Sequence, residues 1–148
     1  MPTAASARRY AQAVFQIALG QDELDRWLED MTLLSQALES RELAEFLDAP
    51  QVSVERKVGL IRETIGDTVA PLASNLLSLL ASRSIAHLLT GVLDQYERLL
   101  DAHRGIYQAE IVSAIPLDDQ QRQRIIELLK EITGNEVRLT SRIEPQIL

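Results

Sequence analysis

The spacing between apolar residues changes character at Gly105, and that change restricts the chain to a helical part followed by a mixed one. Up to Arg104 apolar side chains recur every three or four residues and β-branched residues are scarce; beyond it the period becomes two, then three to four, then two again. One buried face needs a period near 3.6 in a helix and of two in a strand. The reading is therefore mainly α: a six-helix bundle over residues 1–104, then a small and incomplete α/β domain, strand–helix–strand, over 105–148.

The opening helix is predicted from about Ala4 to Leu19. Leu24, Trp27, Leu28, Met31, Leu34 and Leu38 share the stripe of a second, with Asp22 as its N-cap. A short helix from Glu42 to Leu47 should end at Asp48-Ala49-Pro50, because the residue before proline avoids the helical region. Ser53 caps a fourth, whose Val54, Val58, Ile61 and Ile65 share a face and which Gly66 stops. Pro71 belongs in the first turn of a helix through Arg83, and Ser84 opens the last, to about His103. Links of a few residues leave such helices side by side and antiparallel.

In the tail, Ile106 to Ala114 alternates as a strand, with Tyr107, Ala109 and Ile111 on one face and Gln108, Glu110 and Val112 on the other. Asp118 with Gln121 makes a capping box for a helix whose buried stripe is Ile125, Leu128, Leu129 and Ile132, ended by Gly134. Val137, Leu139, Ser141 and Ile143 then alternate with Arg138, Thr140, Arg142 and Glu144 as a second strand. So small a unit buries little surface, and a third strand or a partner is expected to complete it.

Composition removes several functions. There is no cysteine, so disulfides and thiolate chemistry are excluded, and a cytosolic setting is expected. Met1-Pro2-Thr3-Ala4-Ala5-Ser6 lacks the charged and apolar stretches of a signal peptide. The longest apolar runs, Leu76-Leu77 and Leu79-Leu80-Ala81, fall far short of a membrane span of about 20 residues. A net charge of −7 opposes phosphate backbones and anionic lipid, and Arg8-Arg9 and Arg56-Lys57 are the only adjacent basic pairs. Neither nucleic acid nor direct membrane binding is expected.

Nor is there a constellation for catalysis. Glycines at 20, 59, 66, 91, 105 and 134 build no phosphate-cradling loop, and no GxSxG elbow occurs. His87 and His103 are too far apart for a metal motif and read as surface or helix-end residues. Asp94, Glu97 and Asp101 share a helix face, but Arg98 and Arg104 are near and nothing apolar encloses them, so no carboxyl should be raised toward neutrality. No catalytic residue, metal or cofactor is expected.

The informative feature is an apolar arc too wide for one core. At about 100° per residue, Ala13, Ile17, Tyr10, Val14, Ala18, Ala11, Phe15 and Leu19 cover about 240° of the first helix. Leu72, Leu76, Leu80, Ala73, Leu77, Ala81 and Leu79 cover about 200° of the fifth, with Ser74, Ser78 and Ser82 on the remainder. A helix packed on one side needs about 100°. Either both helices are central or they leave apolar surface for another protein, whose amphipathic helix could lie between them.

The segment Ala7-Arg8-Arg9-Tyr10-Ala11-Gln12-Ala13-Val14-Phe15 resembles the opening signature of the delta subunit of F-type ATP synthase, the counterpart of the mitochondrial oligomycin-sensitivity-conferring protein. Ser82-Arg83-Ser84, followed by Leu88-Leu89 and Leu93-Asp94-Gln95-Tyr96, is similar to that family's fifth-to-sixth helix junction, and Ser113-Ala114-Ile115-Pro116-Leu117 to its link after the first strand. Residues Val137 to Leu148 fit the first part of its C-terminal signature, which continues with two glycines and another strand.

The resemblance implies a non-catalytic stator component at the tip of the catalytic head, joining it to the peripheral stalk so that the head resists rotor torque during proton-driven ATP synthesis. By position, the N-terminal helix of an alpha subunit would lie in a groove of Tyr10, Ala13, Val14 and Ile17 facing Leu76, Leu79, Leu80 and Arg83. It also implies that the C-terminal region meets the stalk's b subunits, and that the protein is peripheral on the cytoplasmic side of the bacterial membrane, reaching it only through the complex. The rival reading is an RNA-binding bundle resembling transcription antitermination factor B, with a similar Ala-Arg-Arg pattern. Residues 1–104 carry 10 Lys or Arg against 15 Asp or Glu, a net of −5 that opposes it.

Overall fold

A computed structural model describes residues 4–147. Met1, Pro2, Thr3 and Leu148, which belong to the N-terminal stretch and the C-terminal signature read above, lie outside the described residues. The chain divides into two compact units, Met1–Leu99 and Leu100–Leu148.

The first unit is built from α1 (Ala4–Gly20), α2 (Leu24–Ala37), α3 (Arg41–Asp48), α4 (Val54–Thr64), α5 (Pro71–Ser82) and α6 (Leu89–His103), whose last turn belongs to the second unit. Local chemistry sets most of the starts. Ser40 and Ser53 each accept a hydrogen bond from the backbone N–H three residues on, and Pro71 occupies the first turn of α5, where its missing N–H costs nothing. Gly66 follows α4 without a left-handed backbone; a Cβ there would lie 2.6 Å from the Arg62 carbonyl oxygen, so close approach is what requires glycine.

Two caps differ from the sequence expectation for one reason. Asp22 does not cap α2. It is left-handed, at φ +55, and closes α1: its N–H bonds to the Leu19 carbonyl at 3.3 Å and that of Glu23 to Ala18 at 2.8 Å. Ser84 likewise does not open the last helix. At φ +58 it closes α5, with N–H bonds from Ser84 to Ala81 and from Ile85 to Leu80, both 2.9 Å, and a 3₁₀ turn at Ala86–Leu88 precedes α6. This paired arrangement usually carries glycine, so aspartate and serine disguise it in sequence. Each left-handed residue costs about 1 kcal/mol, which the bonds must offset.

The core of this unit gathers Ala7, Ala11, Val14 and Ala18 of α1 with Met31, Leu34, Leu47, Leu77, Leu80, Leu89 and Val92. Phe15 meets Tyr96 edge to face at 6.2 Å between ring centres, and the buried Tyr96 hydroxyl donates to the Leu24 carbonyl at 2.6 Å. A Cβ on Gly91 would sit 3.3 Å from Ala7 Cβ, so α1 and α6 pack closely there. The buried Asp30 carboxylate accepts from Arg26 Nε at 3.2 Å and from the Ala70 N–H at 3.0 Å, tying α2 to the start of α5.

In the second unit, β1 (Ile106–Ser113) and β2 (Glu136–Ile143) pair in parallel, from Ile106 opposite Glu136 to Ser113 opposite Ile143. The crossover helix α7 (Asp119–Thr133) returns the chain so that both strands run the same way. The Asp118–Gln121 box is present in both directions, at 2.7 and 3.1 Å, and Gly134 ends the helix at φ +72. Arg122 holds α7 on the sheet through Ser141 Oγ at 2.7 Å and the Leu139 carbonyl at 3.1 Å.

That anchor turns α7 away from the expected rotation. Ile125, Ile126 and Leu129 are half-buried, whereas Leu128 and Ile132 are 56% and 70% exposed. Two strands are too narrow to cover the whole stripe.

Asp101 corrects the reading of an open acidic face. Asp94 pairs with Arg98 at 3.3 Å, but Asp101 is buried, accepting from Arg138 Nε at 2.7 Å, Arg138 Nη2 at 2.9 Å and Gln108 Nε2 at 2.8 Å. Burial alone would raise its carboxyl; the hydrogen bonds from Arg138 and Gln108 and the charges of Arg138 and Arg104 outweigh that and hold it below the ordinary carboxylate range.

Because the folded value is depressed, this stabilisation is complete above the unfolded value of 3.8 and is lost as pH falls through the lower folded one. Asp101→Asn should destabilise the second unit by about 1–3 kcal/mol at neutral pH, with the gap to wild type closing below that window. Acid titration followed by strand amide signals checks it; a gap that is constant with pH would refute the assignment. Within Leu100–Leu148, Leu100, Asp101 and Leu139 are the described buried residues. Hydrogen exchange in β1, α7 and β2 should accordingly run at least about tenfold faster than in α1 and α5.

Candidate protein-binding face

Most of the surplus in each wide arc falls on one side of its helix; in α1 the exception is Leu19, 40% exposed, beyond Phe15 on the other side. In α1 the buried residues Ala7, Ala11, Val14, Phe15 and Ala18 span about 100°. Ala13 and Ile17 lie beyond that arc in solvent, and Tyr10, between them and Val14, is half-buried. In α5, Ala73, Leu76, Leu77, Leu80 and Ala81 are buried, while Leu72, Leu79 and Arg83 form an exposed edge at spacings of seven and four.

The two edges meet. Arg83 Nη1 donates to the Tyr10 hydroxyl at 3.4 Å. Of the eight residues expected in the groove, Val14, Leu76 and Leu80 therefore belong to the core beneath it, Ala13, Ile17, Leu79 and Arg83 face solvent, and Tyr10 sits at the junction. Ile17 and Leu79 are each 43% exposed, and so is Leu72, which belongs to the arc of the fifth helix but not to the eight groove residues. Its place seven residues before Leu79 is the signal that puts it on the same edge.

His87 sits with Nδ1 2.8 Å from Asp48 Oδ2, and its backbone N–H donates to Asp48 Oδ1, joining α3 to the 3₁₀ turn. Among the described residues no group of three His, Cys, Asp or Glu could hold a metal ion, and no helix is long and apolar enough to cross a membrane. What the exposed face offers is apolar surface with a guanidinium and a phenol at its edge, which can bury against another chain.

The structure is thus a helical unit with an exposed apolar face, continued along the chain by a strand–helix–strand unit. The family described as ATP synthase delta (OSCP) subunit matches residues 7–148. A delta subunit of ATP synthase from Salinibacter ruber is 36% identical over 133 residues, covering 89% of this chain and 70% of that protein. One from Desulfitobacterium hafniense is 33% identical over 145 residues, covering 97% and 81%. Among solved structures, a chain of the Toxoplasma gondii mitochondrial ATP synthase hexamer superposes with a TM-score of 0.66 at 28% identity, over 93% of this chain and 78% of that one.

The chain belongs to the ATP synthase delta (OSCP) subunit family. Its role is that of a structural stator subunit of the F-type ATP synthase complex rather than a catalytic one, and the RNA-binding alternative is not favoured.

Leu79 and Leu80 are neighbours in one helix with opposite surroundings, and substitution distinguishes them. Leu80→Ala should lower the unfolding free energy by about 2–5 kcal/mol, and Leu79→Ala should change it by no more than about 0.5 kcal/mol, measured by urea denaturation. Equal losses would mean that the face is already covered by the chain itself.

Proposed function

We propose that the chain grips the catalytic head of the ATP synthase through the α1–α5 face. The N-terminal helix of an alpha subunit lies along Ala13, Ile17, Leu72 and Leu79, above the core residues Val14, Leu76 and Leu80, with one flank against Tyr10 and Arg83. The observation that carries this reading is that both helices keep large apolar side chains in solvent on adjoining edges after their core faces are filled. Covering the remaining surface of Ile17, Leu72 and Leu79 contributes about 1 kcal/mol each, and a partner helix adds the burial of its own apolar stripe.

Such a contact suits a stator. Torque on the head is opposed by close-packed surfaces, and no bond need be made or broken. In this reading residues 1–104 are the head-binding part, and residues 105–148 belong to the part that meets the b subunits of the stalk. The protein is peripheral on the cytoplasmic side of the bacterial membrane and reaches that membrane through the complex.

Ile17→Asp and Leu79→Asp test the face without entering the core. Each should weaken binding of a synthetic alpha-subunit N-terminal helix at least about tenfold, by titration calorimetry, while the helical circular dichroism and the thermal midpoint stay near wild type. Wild-type affinity in both variants would place the head contact elsewhere.

A further inference from the structure

Lys57, in α4, is buried, with its ammonium at the far end of α5. Nζ donates to the Ala81 carbonyl at 3.0 Å and to Ser84 Oγ at 3.2 Å. Among the described residues no carboxylate pairs with it, so the compensating negative charge is that of the α5 C-terminus, where the Ala81 carbonyl accepts from the ammonium. Ser84 occupies the left-handed position where glycine is usual. Serine brings what glycine lacks, a hydroxyl that the ammonium can engage. Arg83 lies between the two anchored residues, and its own guanidinium reaches Tyr10.

We propose that Lys57 is the positioning residue of the α1–α5 face. By holding the Ala81 carbonyl and the Ser84 hydroxyl, one ammonium fixes the backbone on both sides of Arg83. It thereby sets the direction in which that side chain leaves the helix and keeps its guanidinium against Tyr10. Lys57 touches no partner; it acts through Arg83. The part of this proposal that concerns affinity rests on the head-binding reading above, and the part that concerns the Arg83–Tyr10 contact does not.

The test uses the full chain with Lys57→Met, Ser84→Gly, Arg83→Ala and the Lys57→Met/Arg83→Ala pair. Two readouts apply: the Tyr10 ring resonances by NMR, and affinity for a synthetic alpha-subunit N-terminal helix. Lys57→Met should move the Tyr10 resonances toward their positions in Arg83→Ala and weaken the peptide about three- to tenfold, with no further loss when Arg83→Ala is added. Ser84→Gly relieves the left-handed strain, so it keeps the fold and should shift Tyr10 in the same direction by less.

Tyr10 resonances at wild-type positions in Lys57→Met, or losses that multiply in the double variant, would overturn the proposal. If Lys57→Met does not fold, Ser84→Gly decides by the same resonances. If the wild-type chain does not bind the peptide, the head-binding reading fails, and the Tyr10 resonances alone decide whether Lys57 positions Arg83.

Discussion

The close approach of α1 to α6 fixes what the rest of the helical unit can do. Ala7 lies where Gly91 leaves no side chain, and Phe15 rests edge-on against Tyr96, whose hydroxyl is held by the Leu24 carbonyl. With these contacts made, α1 has no freedom to rotate about its axis. Val14 and Ala18 must point inward, and Ile17 and Ala13 must point out. The exposed strip follows from how the core closes, and its position is as rigid as the core beneath it.

The fifth helix is fixed differently, by a buried charge at each end. Asp30 accepts the Ala70 N–H at its start, and Lys57 donates to the Ala81 carbonyl at its finish. Both signs match the helix dipole, negative at the N-terminal end and positive at the C-terminal end. Removing either side chain would take a hydrogen bond from a backbone group at an end of α5, so each also helps to fix the register of α5 against its neighbours. Leu72 and Leu79 are thereby held on the same side as Arg83, and the two exposed edges stay aligned.

Much of this was legible in the sequence because it depends on neighbours along the chain. Ser40, Ser53, Pro71, Asp118 with Gln121, and Gly134 act within one turn, and each sits where its chemistry requires. The arcs of α1 and α5 were legible as too wide, since helical periodicity is local; which part of each arc stays outside was not, because that depends on Gly91 and Tyr96, some 80 residues away from α1 in sequence. Nothing in the sequence marks Lys57 or Asp101 as buried, for the same reason. Their partners, Ser84 in one case and Arg138 in the other, are brought to them only by the fold. Asp22 and Ser84 failed in another way: a left-handed closing residue that is not glycine looks like an N-cap, since the same residue types serve both.

The two units draw their order from different sources, and this bears on how each can serve a stator. The first buries a large apolar core and can present a firm surface to a load. The second has few buried side chains and is held by polar cross-links between its elements: Asp101 to Arg138 and Gln108, and Arg122 to Ser141 and the Leu139 carbonyl. Hydrogen-bonded pairs of that kind fix orientation well but contribute little net stability each, because folding exchanges them for bonds to water. A surface that must hold against sustained torque is better built where dispersion contacts are dense and water is excluded. On that physical ground the apolar face of α1 and α5 is the stronger candidate for the contact with the head than any surface of the second unit.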